Sequence, residues 1–240
     1  MNQENYKQGS IRARLRNWWY GHHRGRYSYL LLSQILLLAI SPVLISQQMW
    51  GAVLTATIGT LVCIGGIYAF ATDKRHRRIV MLSALTFVVF AWLDTALHSI
   101  TFSYLHAVFG CLFFFYAASV LLWRVWQEES ITLDVLSGAA SVYLLLGIFW
   151  SFLYALVELI LPGSFAGTPV NFVYYSFTAL TSTGFGDIAA VSGLARSATI
   201  LECVTGPLFI AVQVGRLVGI QISQRGELRR NVIPPEAPEA

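Results

Sequence analysis

The chain has 240 residues, of which 56% are hydrophobic and 12% charged, whereas an ordinary soluble domain has about a quarter of its residues charged. That balance, with a mean hydropathy of +0.61, belongs in a bilayer and excludes a soluble globular domain. The net charge of +4 does not indicate nucleic acid, because the basic residues cluster in short polar segments between apolar runs, as juxtamembrane anchors do.

A spanning helix needs about 20 mostly apolar residues. Five runs of that size come first: Tyr27 to Ile45, Trp50 to Ala71, Ile79 to Leu97, Tyr104 to Trp123 and Val135 to Leu161. A basic lead precedes the first, but it is long for a signal peptide and no A-x-A-like cleavage site follows, so the run is read as a retained helix. After Pro162 comes a stretch, Val170 to Leu180, of about three helical turns, which is too short to span. It must re-enter the membrane or lie at its surface. A polar, Gly-rich segment, Ser182 to Gly186, leads to a sixth spanning run, Ser197 to Ile222, and a polar tail.

Orientation follows from the Lys and Arg residues, which favour the cytoplasmic side near helix ends. Arg12, Arg14, Arg16, Arg24 and Arg26 precede the first run; Lys74, Arg75, Arg77 and Arg78 separate the second and third; Arg124 follows the fourth; Arg225, Arg229 and Arg230 follow the sixth. The alternate connections near Gln47, Ser99 and Gly163 lack them. Both termini are therefore expected in the cytoplasm, with the re-entrant stretch entering from outside. The expected organisation is a basic cytoplasmic N-terminus (1–26), a four-helix membrane region (27–126), a pore domain (127–222) and a cytoplasmic tail (223–240).

Irregular backbone is tolerated at membrane depth only where it is buried in protein or lines water. The strand Thr181-Ser182-Thr183-Gly184-Phe185-Gly186-Asp187 between two membrane helices therefore calls for a pore. Thr168 and Pro169 have the chemistry of an N-cap and first helical residue, so a short pore helix is predicted from there to Leu180. Its C-terminal dipole end favours a cation beside the strand. Gly184 and Gly186 can adopt backbone angles closed to other residues and turn carbonyls inward.

Thr183-Gly184-Phe185-Gly186-Asp187 resembles the potassium-channel signature, whose Thr-Val-Gly-Tyr-Gly form is the standard carbonyl filter. The resemblance extends over about Val135 to Ile222. In two-helix bacterial potassium channels an Arg follows the filter aspartate at a fixed distance and a hinge glycine lies further along, and Arg196 and Gly206 occupy those places without a gap. Tyr174 and Tyr175 match an aromatic pair of the pore helix. The resemblance implies that the carbonyls of Ser182, Thr183, Gly184 and Phe185 line the ion sites, with the Ser182 hydroxyl innermost, and that Gly186 and Asp187 complete the strand. This chain departs from the pattern at Ser182 (usually Thr), Thr183 (usually Val or Ile), Phe185 (Tyr) and Ala190 (often Pro). The first four runs match only the general six-helix channel plan.

Gly206-Pro207 inside the sixth run removes a backbone hydrogen bond and is read as a gating hinge rather than a static kink. Ile210, Val214 and Val218 follow at a spacing that shares one helix face, as a hydrophobic constriction or as ordinary packing. Glu158 and Glu202 must face protein or water. With no nucleophile or metal cluster beside them they are read as filter-supporting or cation-attracting, one of them pairing with Arg196. The fourth run carries no internal Lys or Arg, so it is no voltage sensor. Asp94, His98 and His106 form a polar cluster, with a proton or metal sensor as the rarer alternative. Cys63, Cys111 and Cys203 stand alone in apolar runs as buried hydrophobes.

The expected fold is an all-α membrane protein of six transmembrane helices, with a re-entrant pore helix and filter between the fifth and sixth, assembled as a homotetramer around one pore. The expected function is passive potassium permeation across the plasma (inner) membrane. Potassium ions and membrane lipid are the partners, no cofactor is needed, and no enzymatic activity is expected. A weakly selective cation channel, a membrane transporter and a noncatalytic channel subunit stand as alternatives; a transporter would show repeated broken helices.

Overall fold

The computed structural model describes residues 26–45, 56–57, 59–63, 66, 74–128, 130–167 and 170–232. Helix α1 spans Arg26–Ile45, α2 Lys74–Leu97, α3 Ile100–Gln127 and α4 Leu133–Ile160. After α4 come strand β1 (Phe165–Ala166), the short helix α5 (Phe172–Leu180), strand β2 (Ala189–Ala190) and the long helix α6 (Gly193–Val232). Most of the second expected run, Trp50 to Ala71, lies outside the described residues, and those described within it are helical. Among the described residues four helices are long and apolar enough to cross a membrane: Arg78–Leu97, Ile100–Gln127, Leu133–Ile160 and Gly193–Ile222. The described part of α1, Tyr27–Ala39, is a shorter apolar stretch.

The connections from α2 to α3 and from α3 to α4 are short, which makes those helices antiparallel neighbours. His98, with φ 47°, and Ser99 turn α2 into α3. Thr132 starts α4 by accepting the Val135 amide on its hydroxyl at 3.2 Å, and Asp134 sits in the first turn, where a carboxylate suits the positive end of the helix dipole. Asp134 also accepts the Tyr27 amide at 3.1 Å, bringing the starts of α1 and α4 to the same end of the bundle.

Helix α4 is the shared wall, in contact with α1, α3, α5 and α6. Its first part belongs to a cluster with Leu30, Phe87, Phe113, Phe114 and Leu121 of the N-terminal helices. Lipid tails are as apolar as these side chains, so association rests on close packing rather than on water release. The ring cluster of Phe87, Phe114 and Phe152 supplies it, with Phe87 edge-on to both others and Phe114 stacked on Phe152, all at centroid distances of 5.4 Å. The second part of α4 joins Trp150, Tyr154 and Val157 to Phe165, Tyr175, Leu180, Ile188 and Ala195, the core beneath the candidate site.

Two boundaries differ from expectation. The short helix begins at Phe172, capped by Asn171, whose Oδ1 accepts the Tyr174 amide at 3.1 Å. Thr168 and Pro169, the expected start, lie outside the described residues. Helix α6 does not stop at Ile222 but continues to Val232 through the first part of the expected tail. Its 40 residues make a rod of about 60 Å, roughly twice the hydrocarbon thickness.

Candidate functional site

The Thr181–Asp187 strand follows directly from the C-terminus of α5, and its first amides are spent there. Thr181 donates to Phe177 O at 3.1 Å and Ser182 to Ala179 O at 2.9 Å. Thr183 and Gly184 both donate to Thr178 O, at 2.8 and 3.2 Å. Ser182, Gly184 and Gly186 have φ of 56°, 57° and 82°, so left-handed residues recur at every second position. In an ordinary extended strand successive carbonyls point to opposite sides, whereas alternating handedness turns the amides to one side and the carbonyls to the other. Here the amides of Thr181 to Gly184 are on the α5 side. Left-handed backbone costs nothing at glycine but about 1 to 2 kcal/mol at other residues, and Ser182 tolerates it on a strand fixed by the surrounding bonds. The Thr181 and Thr183 hydroxyls pair at 2.8 Å, and that of Thr181 also donates to Phe177 O.

The far end of the strand is pinned as well. Phe165 and Ala166 of β1 pair antiparallel with Ala190 and Ala189 of β2. Gly167, at φ +125°, passes so close to the strand that a Cβ there would lie 2.6 Å from the Asp187 carbonyl oxygen. Ser164 O accepts the Val191 amide at 2.8 Å, and the Ser192 hydroxyl bonds that of Ser164 at 2.9 Å. Tyr174 stacks flat on Phe185, with centroids 6.1 Å apart and planes 3° from parallel, and its hydroxyl interacts with Asp187. Tyr175 is buried behind it, its hydroxyl 2.8 Å from that of Thr199 on α6.

The two carboxylates are placed differently from each other. Glu158 accepts the amides of Gly163 at 2.7 Å and Phe165 at 3.2 Å, so it braces the turn that carries β1. Glu202 is fully buried between α4, α5 and α6, in contact with the Tyr154 and Ser176 hydroxyls. Arg196 Nε donates to Ala190 O at 3.2 Å, and among the described residues of the single chain it makes no ion pair with Glu158 or Glu202.

Gly206 lies at the contact between α6 and the end of α5, and Pro207 sits within an unbroken α6. Ile210, Val214 and Val218 are exposed, and the two valines line a cavity of about 420 Å³ with Ile131, Leu136, Leu217 and Gln221. Asp94 accepts the Ser103 hydroxyl at 2.6 Å and meets His106 Nδ1 at 3.4 Å. His98 joins them only through its backbone amide, and among the described residues no group of three His, Cys, Asp or Glu side chains could hold a metal ion. Arg124 interacts with Tyr27.

Some of the arrangement escaped sequence reasoning. Arg216 of α6 donates from one guanidinium nitrogen to Trp126 O at 2.9 Å and Glu128 O at 3.0 Å, capping the end of α3. A lone Arg inside an apolar run is the signal for such a bond, since it demands a partner. Tyr143 donates to Leu180 O at 3.2 Å. Neither Tyr143 nor Tyr154 nor Ser176 carries a local sequence signal.

Helix α4, the short helix α5, the Thr181–Asp187 strand and helix α6 follow one another in this order. Residues 133–220 match the ion channel family model. The matched segment starts at the first residue of α4 and runs through α5 and the strand into α6. Ion channels are not an enzyme class. Among the described residues the four apolar helices long enough to span suit a multi-pass membrane protein, for which lipid is the surrounding partner. No curated protein and no solved structure matches the chain.

Proposed function

We propose that the chain is one subunit of a homotetrameric, potassium-selective channel of the plasma (inner) membrane. In this reading it has six spanning helices, both termini in the cytoplasm and the Thr181–Asp187 strand as its filter. The observation that carries the reading is the recurrence of left-handed backbone at Ser182, Gly184 and Gly186, on a strand whose amides turn back to α5. The carbonyls of Ser182, Thr183, Gly184 and Phe185 are then free to replace the hydration shell of a potassium ion, with the Ser182 hydroxyl at the innermost site. The negative end of the α5 dipole favours a cation there.

A ring of carbonyls needs several strands and each chain supplies one, which argues for four copies. Exposure supports assembly: residues 181–187 are exposed in the single chain, and α6 is the least buried of the four candidate spans. Such backbone is not tolerated against lipid. Ile210, Val214 and Val218 of α6 would then line the inner cavity, with Gly206-Pro207 as the place where the helix bends. Tyr174, Tyr175, Asp187, Glu158, Glu202 and Arg196 brace the filter from outside the ion path.

The deciding experiment is a planar bilayer recording from purified protein with potassium on one side and sodium on the other. A reversal potential close to that of potassium supports the proposal. A value near zero supports the second reading, a weakly selective cation channel, which the polar Thr183 side chain behind the strand favours.

A further inference from the structure

Three short oxygen-to-oxygen contacts meet around Glu202 in the wall between α4, α5 and α6. The Tyr154 hydroxyl touches Glu202 Oε2. Ser176 Oγ lies 2.5 Å from Glu202 Oε1 and 2.7 Å from the carbonyl oxygen of Gly147. All three side chains are buried, Glu202 completely. A hydrogen bond needs one proton. Tyr154 and Ser176 bring one each, a carbonyl brings none, and an ionised carboxylate brings none. Two protons cannot serve three contacts.

The count closes only if the carboxyl group keeps its own proton. Tyr154 then donates to Oε2, the protonated Oε1 donates to Ser176 Oγ, and the Ser176 hydroxyl donates to Gly147 O. Every polar atom is satisfied, as a buried network requires. The groups facing Glu202 also supply no positive charge: Tyr143 and Tyr154 from α4, Tyr175 from α5, and Cys203 beside it on α6. Among the described residues no Lys, Arg or His meets its carboxyl group. An ionised carboxylate here would be buried and unpaired, the most costly state for such a group.

We propose that Glu202 is held as a neutral carboxylic acid and that its proton completes a hydrogen-bond relay joining α4, α5 and α6 behind the filter. Glu202 is thus a positioning residue: it touches no ion, but it ties Ser176 of α5 to Gly147 of α4. Its effect on conduction rests on the filter proposed above. Without that proton Ser176 has one hydrogen for two acceptors, α5 loses one neighbour and conduction falls.

The test uses assembled protein in liposomes, comparing wild type with Glu202→Gln and Glu202→Val. The Gln side chain copies the neutral acid, since its amide donates to Ser176 and its carbonyl accepts from Tyr154. The infrared difference between wild type and Glu202→Gln at neutral pH should contain the carbonyl band of a protonated carboxylic acid; a carboxylate band in its place overturns the proposal. Potassium flux should survive in Glu202→Gln, which keeps a donor to Ser176, and be lost in Glu202→Val, which does not. Flux that persists in Glu202→Val, or that is lost equally in Glu202→Gln, overturns the relay. A wild type that shows the band but does not conduct defeats the channel reading and upholds the proton.

Discussion

Gly206 of α6 lies against the carbonyl oxygen of Leu180 at the end of α5, so close that a Cβ built on it would fall inside that oxygen. The glycine expected to be a hinge is therefore also the point where α6 touches the residue that precedes the Thr181–Asp187 strand. Gly206→Ala must push α6 away from α5, and overpacking of this kind costs about 1 to 3 kcal/mol. We expect the thermal midpoint of the detergent-extracted particle to fall, with selective flux falling alongside it. Gly219→Ala on the same helix, where a Cβ meets nothing within 4 Å, should leave both unchanged. Equal midpoints for the two variants would remove the contact as an explanation.

The glycines of the Thr181–Asp187 strand obey a different rule. At Gly186 a Cβ has open space around it, so its φ of +82° alone opposes a side chain. Gly186→Ala should strain each subunit by about 1 to 2 kcal/mol and abolish selective potassium flux without changing the mass of the particle. Thallium flux into liposomes, with native mass spectrometry on the same samples, separates these effects. Undiminished selective flux would defeat the filter assignment.

Helix α3 carries no Lys or Arg before Arg124 in its last turn. One elementary charge moved across the membrane is worth about 2.3 kcal/mol per 100 mV, and α3 has none to move within the bilayer. Open probability should depend only weakly on voltage. Single-channel records over negative and positive potentials check this, and a steep sigmoidal activation curve would contradict it.

Arg216 offers a different route into the pore, because it ties α6 to the end of α3 through the carbonyls of Trp126 and Glu128. Charge-assisted bonds of this type contribute about 1.5 to 3 kcal/mol when shielded from water, and less here because the contact is partly open. Arg216→Gln should shift open probability while leaving the reversal potential where it was. A shift in reversal potential would mean that the substitution reaches the filter instead.

What was legible in the sequence is what depends on near neighbours. Helices long enough to cross a bilayer, the short length of α5 and the glycine spacing of the strand all follow from consecutive residues. The start of α5 was misread because Thr168-Pro169 and Asn171 both have capping chemistry, and only the backbone path decides which side chain reaches an amide. Within the single chain Arg196 bonds a backbone carbonyl and neither carboxylate for a related reason. Opposite charges attract over any sequence distance, but a long side chain takes the nearest acceptor, here Ala190 O. Glu202 was identified by the cost of its charge alone, since Tyr154, Ser176 and Gly147 lie on two other helices and no local pattern joins them.

The Thr181–Asp187 strand is tethered at both ends by bonds within its own chain, through α5 amide acceptors at the start and the β1–β2 pairing at the finish. Its curvature is thus written into each polypeptide before any partner arrives. Oligomerisation would then act like closing an iris from preformed leaves, and permeant ions would find a ring already shaped for them rather than having to induce it. Particles assembled in ion-poor buffer should gain conductance as soon as potassium is supplied, with no slow maturation phase.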